Sequence, residues 1–223
     1  MNNITSIGKF SSSQIYRLMG SEKVAQTYIK EKNFERLLLR KLDNESNSRP
    51  TSWGNFMEGY TFEKLPINYI LCSKTTVGHP EYGSFWVGTP DDETDDSIGD
   101  IKNPFTLMSF VQLNDACSKG LLLNYEDSYF WQLVSNAIIK NKKYAELIIH
   151  VPYEDEYYSI MEYYNSYEDK SDINWLERVS PKSIPLLKRE SKFKDLNIHR
   201  FEVTEHVKDH LTQNVLKYSK FLI

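Results

Sequence analysis

Gly88-Thr89-Pro90-Asp91 and, nine residues after Asp91, Asp100-Ile101-Lys102 are the stretches that decide the fold of this chain. Together they read P-D followed by (D/E)-x-K. Phe85-Trp86-Val87 and Ser97-Ile98-Gly99-Asp100-Ile101 predict two short strands, and the acidic residues 92–96 between them predict a hairpin turn. Residues two apart in a strand share a face, so Asp100 and Lys102 should project together, with Asp91 beside them.

This arrangement of side chains suits a divalent cation. The carboxylates of Asp91 and Asp100, joined by the carbonyl of Ile101, are the hard oxygen ligands that Mg²⁺ or Mn²⁺ prefers. The ammonium of Lys102 can orient an attacking water or help to deprotonate it, and the set predicts a metal-dependent phosphodiesterase. The alternative is an acidic hairpin tip beside an ordinary surface D-x-K, and short motifs leave both interpretations open.

Two further motifs flank this pair. Upstream, Trp53-Gly54-Asn55-Phe56-Met57-Glu58 opens a predicted helix that Thr51 or Ser52 could cap, although Glu58 alone could be a solvent-facing glutamate. Downstream, Tyr129 and Gln132 lie on one face of another predicted helix. Gln132 has apolar neighbours and would be costly to bury without partners, which favours a site role. Tyr129 is also compatible with core packing.

The order W-G-x-x-x-E, P-D, (D/E)-x-K-x-P and Y-x-x-Q, with Asn103-Pro104-Phe105-Thr106 after the lysine, resembles one nuclease family. It is similar to the lambda exonuclease/YqaJ-type viral recombinase family of the PD-(D/E)xK nuclease superfamily, over roughly residues 8–153. Asp100 stands where close relatives often carry glutamate, which the superfamily pattern admits. Asn136 stands where the related RecB-like nucleases have a tyrosine four residues after the glutamine.

The resemblance implies an active centre and its metal ion. The catalytic residues would be Glu58, Asp91, Asp100, Lys102 and Gln132. The ion, Mg²⁺ or Mn²⁺, would be held by Glu58, Asp91, Asp100 and the carbonyl of Ile101.

The resemblance also implies contacts with a DNA end. Family members place serines near the N-terminus against the 5′-phosphate, and Ser11 and Ser13 lie in a matching segment. Ser11 with Gln14 also satisfies the S-x-x-Q capping box, which explains the serines without DNA. Other candidate DNA contacts are Tyr129 and the basic residues Lys140, Lys142, Lys143, Lys188 and Arg189. The alternative for the basic runs is a solvated face.

The composition is compatible with a nuclease but does not by itself indicate one. The 223 residues carry a formal net charge of −4, but the acidic residues are concentrated in 91–100 and 154–172. Cys72 and Cys117 are far apart, which argues against zinc and against a four-cysteine iron–sulfur cluster. The sequence has neither a long apolar run nor a signal-peptide pattern, so we expect a soluble, cytoplasmic protein with no membrane contact.

The order of elements predicts an α/β fold with a mixed central β-sheet flanked by α-helices, the restriction-endonuclease-like core of the PD-(D/E)xK superfamily. We expect one nuclease domain over 1–223, with its core at about 8–153 and a C-terminal strand and helix at about 196–221 completing it. Strands are expected at 68–77, 84–88, 97–102 and 144–151, with a polar loop at 43–49, and residues 155–195 are left unassigned. In the first helical region, 12–42, the expected apolar anchors are Val24, Tyr28, Phe34, Leu37 and Leu38.

The predicted function is a metal-dependent deoxyribonuclease. The resemblance implies a 5′-to-3′ exonuclease that resects double-stranded DNA ends for phage recombination, a homotrimer, and a single-strand annealing protein as partner. The alternatives are a structure-specific endonuclease on the same fold and a catalytically silent DNA-end-binding module.

Overall fold

The computed structural model describes residues 5–42, 48–72 and 74–223. Within these residues the strands are β1 Phe10–Ser11, β2 Ile70–Leu71, β3 Val77–Gly78, β4 Trp86–Gly88, β5 Asp92–Glu93, β6 Ser97–Lys102, β7 Tyr144–His150 and β8 Leu196–Glu202. The α-helices are α1 Glu22–Leu38, α2 Arg49–Phe62, α3 Leu107–Ser118, α4 Leu122–Tyr125, α5 Asp127–Ile139, α6 Tyr157–Ser166 and α7 Glu205–Ser219. Short 3-10 helices span Ser12–Leu18, Glu154–Glu156, Asn174–Arg178 and Pro181–Ser183.

The strands form a five-stranded sheet in the order β2-β5-β6-β7-β8 and a three-stranded sheet in the order β1-β4-β3. In the larger sheet β6 and β7 run parallel, with Asp100 beside Leu147, and the other neighbours are antiparallel. This confirms the predicted mixed sheet in an α/β fold. β7 is a central strand, and its residues from Ala145 to His150 are all buried.

The predicted hairpin is wrong in one strand. β6 pairs with β5, not with β4, which pairs with β1 and β3 in the other sheet. The acidic residues expected in the turn therefore begin as a strand, and the turn is shorter, closed by Thr94 and Ser97. Gly99 permits this pairing, because a Cβ there would lie 2.1 Å from Asp92 Oδ1.

Helix α2 begins earlier than predicted. Ser48, not Thr51 or Ser52, is the N-cap, and its hydroxyl accepts a hydrogen bond from Thr51 N at 3.3 Å. Pro50 lies in the first turn, where its missing N–H costs nothing. The polar loop predicted from Asp43 to Arg49 lies largely outside the described residues. The single strand predicted at 68–77 is instead β2 and β3, one in each sheet.

The expected anchors of α1 are mostly wrong. Only Tyr28 is buried, and the side chains that face solvent are Val24, Phe34, Leu37 and Leu38. Glu35 is buried instead, where it accepts a hydrogen bond from Gly8 N at 2.8 Å and pairs with Lys32. A satisfied carboxylate thus takes the place of an apolar side chain on the inward face.

The described residues form two hydrophobic clusters. The main core packs α1, α5 and α7 against the sheets. The second, called here the aromatic core, joins α2 to residues 157–184 and includes Trp53, Phe56, Tyr60 and Tyr164. The unassigned region 155–195 therefore contains a helix, α6, whose task is to pack against α2. No helix within the described ranges is long and apolar enough to cross a membrane.

Candidate active site

A cleft of about 690 Å³ lies between α2, α5 and the end of β6. It brings together all five predicted catalytic residues, together with Ile101 and Tyr129. The catalytic set lining the cleft is Glu58, Asp91, Asp100, Lys102 and Gln132. Residues from four separate parts of the sequence thus meet at one surface, as the motif order predicts. Their catalytic and metal-binding roles stay predictions.

Each carboxylate is positioned by a different element. Asp91 precedes β5, and its Oδ2 accepts a hydrogen bond from Ile101 N at 2.7 Å, which ties it to β6. Asp100 and Lys102 share a face of β6 and form an ion pair, with Nζ 2.5 Å from Oδ2. Glu58 reaches the cleft from α2, where Lys74 lies 3.3 Å from its carboxylate. Lys74 was not singled out in the sequence.

Helix α5 contributes Gln132 and Tyr129. The side-chain amide of Gln132 donates to Asp100 Oδ1 at 2.5 Å, so this polar group has the partner that its apolar surroundings demand. The ammonium of Lys102 lies 4.7 Å from the centre of the Tyr129 ring, a cation–π contact. Tyr129 therefore packs against the site lysine and lines the cleft.

The electrostatics of the cleft favour a cation. Burial raises the pKa of Asp91 well above its usual range, and repulsion by Asp100 and Glu58 adds to this rise. Burial alone would lower the pKa of Lys102, but the carboxylates of Asp100 and Asp91 outweigh it and the net shift is upward. Three crowded carboxylates with two lysines, Lys102 and the exposed Lys74, leave negative charge uncompensated. Hard oxygen donors suit Mg²⁺ or Mn²⁺. The residues present fit such an ion.

Sequence reasoning missed Asp92, which lies on the opposite face of the sheet. It is fully buried, and neither carboxylate oxygen has a hydrogen-bond partner among the described residues. Burial, then the charges of Glu146 and Asp100, raises its pKa to about 8. Asp92, Gly99 and Glu146 are neighbours across β5, β6 and β7. The signal was Gly99 at the centre of a strand, where a missing side chain makes room for a neighbour.

Ser11 and Ser13 line a second cavity of about 440 Å³. Gln132 lines both this cavity and the cleft, so the two adjoin. The lining of this cavity contains one acidic residue, Glu35, and three lysines: Lys32, Lys41 and Lys74. The capping box is absent from this described segment, because Ser11 makes no capping hydrogen bond and its hydroxyl lies 3.4 Å from that of Ser13.

The basic candidates lie elsewhere. Lys140 and Lys142 pair with Glu93 at 2.9 and 3.6 Å, and Lys143 pairs with Glu202 at 3.6 Å. Lys188 is exposed, while Arg189 pairs with Asp155 at 2.8 Å. None of the five is among the described lining residues of the cleft. The structure brings the serines close to the candidate catalytic set and leaves these cations outside it.

A different group of ligand atoms also comes together. His150, Glu156 and Asp195 offer atoms that all lie within 4.8 Å of one another. In the sequence His150 falls in a predicted strand, and Glu156 and Asp195 bound or lie in the region left unassigned.

No protein-family model matches the sequence, and no curated protein sequence matches it. Among solved structures, the crystal structure of LHK-Exo in complex with dAMP has a TM-score of 0.66 at 12% identity, covering 98% of this chain and 90% of that one. An alkaline exonuclease (LHK-Exo) from Laribacter hongkongensis has a TM-score of 0.64 at 13% identity, covering 97% and 89%. A phage-related exonuclease from Haemophilus somnus 129PT has a TM-score of 0.59 at 13% identity, covering 96% and 92%. The chain therefore has the fold of these exonucleases, and the family resemblance that its motifs predicted is confirmed at the level of the fold.

Proposed function

We propose that this chain is a Mg²⁺-dependent deoxyribonuclease, an exonuclease that degrades double-stranded DNA from a 5′ end. The observation that carries the proposal is the convergence of Glu58, Asp91, Asp100, Lys102 and Gln132 on one cleft. A protein that only binds DNA has no need to crowd uncompensated carboxylates where phosphate must lie, because like charges repel.

The proposed roles follow from the contacts. Asp91, Asp100, Glu58 and the Ile101 carbonyl would hold the ion, which when bound polarises a phosphoryl oxygen and lowers the pKa of water. Lys102, which pairs with Asp100 at the edge of this set, orients the attacking water and offsets charge on phosphate. Gln132 fixes the plane of the Asp100 carboxylate.

The exonuclease assignment rests on the serine cavity beside the cleft. Hydroxyls of Ser11 and Ser13 with nearby lysines are suited to a terminal phosphate. Gln132 joins the two cavities, so a 5′-phosphate held in one places the adjoining strand toward the other. A homotrimer around DNA, a single-strand annealing partner, a role in phage recombination and a cytoplasmic location are part of the same proposal and rest on the family resemblance.

One assay tests the proposal. End-labelled linear duplex and closed circular DNA are incubated with Mg²⁺ or with EDTA, using the natural chain, Asp91→Asn and the exposed-acid control Asp95→Asn. We expect degradation of linear DNA only, dependent on Mg²⁺, lost in Asp91→Asn and kept in Asp95→Asn. Cleavage of circles at the same rate would indicate the endonuclease alternative. Binding of ends without cleavage would indicate a silent end-binding module.

A further inference from the structure

The last residue of β7 is a buried histidine that the proposed reaction does not use. His150 is 1% exposed, and its Nδ1 lies 2.8 Å from the Thr61 hydroxyl. That hydroxyl donates to Asn103 Oδ1 at 2.7 Å. A hydroxyl has one proton to give, so with this orientation of the Asn103 amide Thr61 accepts from His150 and Nδ1 carries the imidazole proton. Nε2 therefore presents a lone pair.

The free ring nitrogen is assigned to a group with two carboxylates. Nε2 is buried and has no hydrogen-bond partner among the described residues. A ring nitrogen of His150 and one carboxylate oxygen each of Glu156 and Asp195 lie within 4.8 Å of one another, and because Thr61 takes Nδ1 we assign that nitrogen as Nε2. Glu156 ends the 3-10 helix that follows β7. The carbonyl of Asp195 accepts a hydrogen bond from Val151 N at 3.0 Å, which holds the start of β8 beside His150. The backbone of the sheet thus brings the three residues together.

Such a group is unfavourable by itself. The imidazole lone pair and the two carboxylates repel one another, and the ammonium of Lys64, which contacts Glu156, offsets only part of this negative charge. One imidazole nitrogen with two carboxylate oxygens is a donor set typical of first-row divalent ions, with Zn²⁺ among the tightest bound. We propose that His150, Glu156 and Asp195 form a Zn²⁺ site separate from the cleft. The cysteine count has no bearing on it, since no cysteine takes part.

The three ligands must draw together to bind an ion. In a tetrahedral site two ligand atoms lie about 3.4 Å apart, from bonds of about 2.1 Å at about 109°. The three atoms lie within 4.8 Å, and Asp195 is only half-buried, so its side chain has room to close the difference. Water can occupy a fourth position, as in zinc sites with three protein ligands.

Lys64 opposes the ion. Its ammonium contacts Glu156 Oε2, and the Tyr60 hydroxyl donates to the same oxygen at 3.1 Å. A positive charge at this distance weakens binding of a cation and competes for the ligand. Glu156 Oε1, whose contact with Tyr153 N is long at 3.3 Å, is therefore the oxygen assigned to the ion. Removing Lys64 should strengthen the site, whereas removing a ligand should weaken it.

The site connects to the cleft through His150. Nδ1 of His150 is hydrogen-bonded to the Thr61 hydroxyl, which donates to Asn103. Asn103 is the residue after Lys102, and both line the cleft. Glu58 lies one turn before Thr61 on α2. An ion on Nε2 therefore stabilises the contact between α2 and β6 that brings Glu58 to Asp100.

The test uses the full chain carrying Asp91→Asn and Asp100→Asn, so that the cleft ligands are removed. After dialysis against EDTA, Zn²⁺ is titrated by calorimetry and Co²⁺ by visible absorption, with excess Mg²⁺ present. We expect one equivalent bound and a higher Tm with Zn²⁺. His150→Gln or Asp195→Asn should weaken binding by at least about 100-fold, since even second-shell changes cost 10–100-fold. Lys64→Met should tighten it by about ten-fold, and the exposed-acid control Asp172→Asn should change nothing.

Three results would overturn the proposal: no Zn²⁺ bound, binding indifferent to Asp195→Asn, or weaker binding in Lys64→Met. The first would indicate that Nε2 carries the proton and donates it to a carboxylate, and the second that the ion binds elsewhere on the chain. Should His150→Gln not fold, Asp195→Asn decides, because that side chain is half-exposed. Nuclease activity plays no part in these readouts, so they stand apart from the proposed function.

Discussion

Gln132 and Asp100 are joined across two elements of the fold by a hydrogen bond of 2.5 Å from the α5 amide to the β6 carboxylate. Lys102 lies at 2.5 Å from the other oxygen of the same carboxylate. The two oxygens of Asp100 therefore have separate neighbours, and the plane of the carboxylate is set by α5 and β6 together. A carboxylate whose orientation is determined in this way would suit the role of the proposed metal ligand.

Gln132→Ala should lower kcat for linear duplex by about 10–100-fold, the usual cost of removing a residue that orients a metal ligand. The fold should remain, because Gln132 is only half-buried. The measurement is Mg²⁺-dependent nucleotide release, with Gln112→Ala on the exposed face of α3 as the matched control. Activity equal to that of the control would mean that Asp100 does not depend on the amide.

Lys102→Arg should lose most turnover although it keeps the positive charge. The guanidinium is larger and planar, so it cannot take the compact position between Asp100 and the Tyr129 ring. Single-turnover cleavage of labelled duplex measures the effect, and Lys140→Arg, outside the cleft, serves as the control. Turnover unchanged in Lys102→Arg would show that the charge alone matters.

Ser13→Ala should abolish a preference for 5′-phosphorylated over 5′-hydroxyl duplex. Loss of one charge-assisted hydrogen bond corresponds to about 1.5–3 kcal/mol, or roughly ten-fold to over a hundred-fold in rate on the phosphorylated end. Ser118→Ala, at the exposed end of α3, is the control. A phosphate preference that survives in Ser13→Ala would remove this residue from end recognition.

Asp92→Asn should stabilise the protein at alkaline pH. The pKa of Asp92 is raised to about 8, so between pH ~4 and ~8 the folded state binds a proton that the unfolded state has lost. This carboxyl therefore subtracts stability as pH rises through that range, by at most about 1.4 kcal/mol per pH unit. Urea unfolding at pH 6 and pH 9 in EDTA should show a smaller loss in Asp92→Asn than in the natural chain. The exposed Asp95→Asn should leave the loss unchanged.

Some elements were predictable because their patterns are strongly periodic or apolar. β6 was predicted at 97–102 and is Ser97–Lys102, and β7 differs from its prediction by one residue at its end. The convergence on the cleft was also predictable, since the motif order places each residue on a neighbouring element. The hydrogen bonds between the cleft residues could not be predicted, because the partner of Asp100 depends on how α5 packs against β6.

Other features depend on contacts that no local pattern carries. The apolar stripe of α1 proved misleading because Glu35 is satisfied by Gly8, far from it in the chain. Helix α6 was missed because its tyrosines pack on α2, and nothing local distinguishes a packed tyrosine from an exposed one. Asp92 was predicted to lie in a turn because burying an unpaired carboxylate is costly. Its burial becomes evident only from its position opposite Gly99 on the neighbouring strand.

The aromatic core gives Glu58 a different mechanical support from the rest of the candidate catalytic set. Asp100 and Lys102 lie in β6 and Asp91 directly precedes β5. Glu58 instead lies on α2, whose inner face packs against residues 157–184. Proteins open in parts as well as all at once, and regions with separate cores can open separately. Loosening of the tyrosine-rich segment would carry Glu58 away while the sheet stays folded. Local opening of residues 157–184 would therefore abolish the proposed activity while most of the fold stays intact.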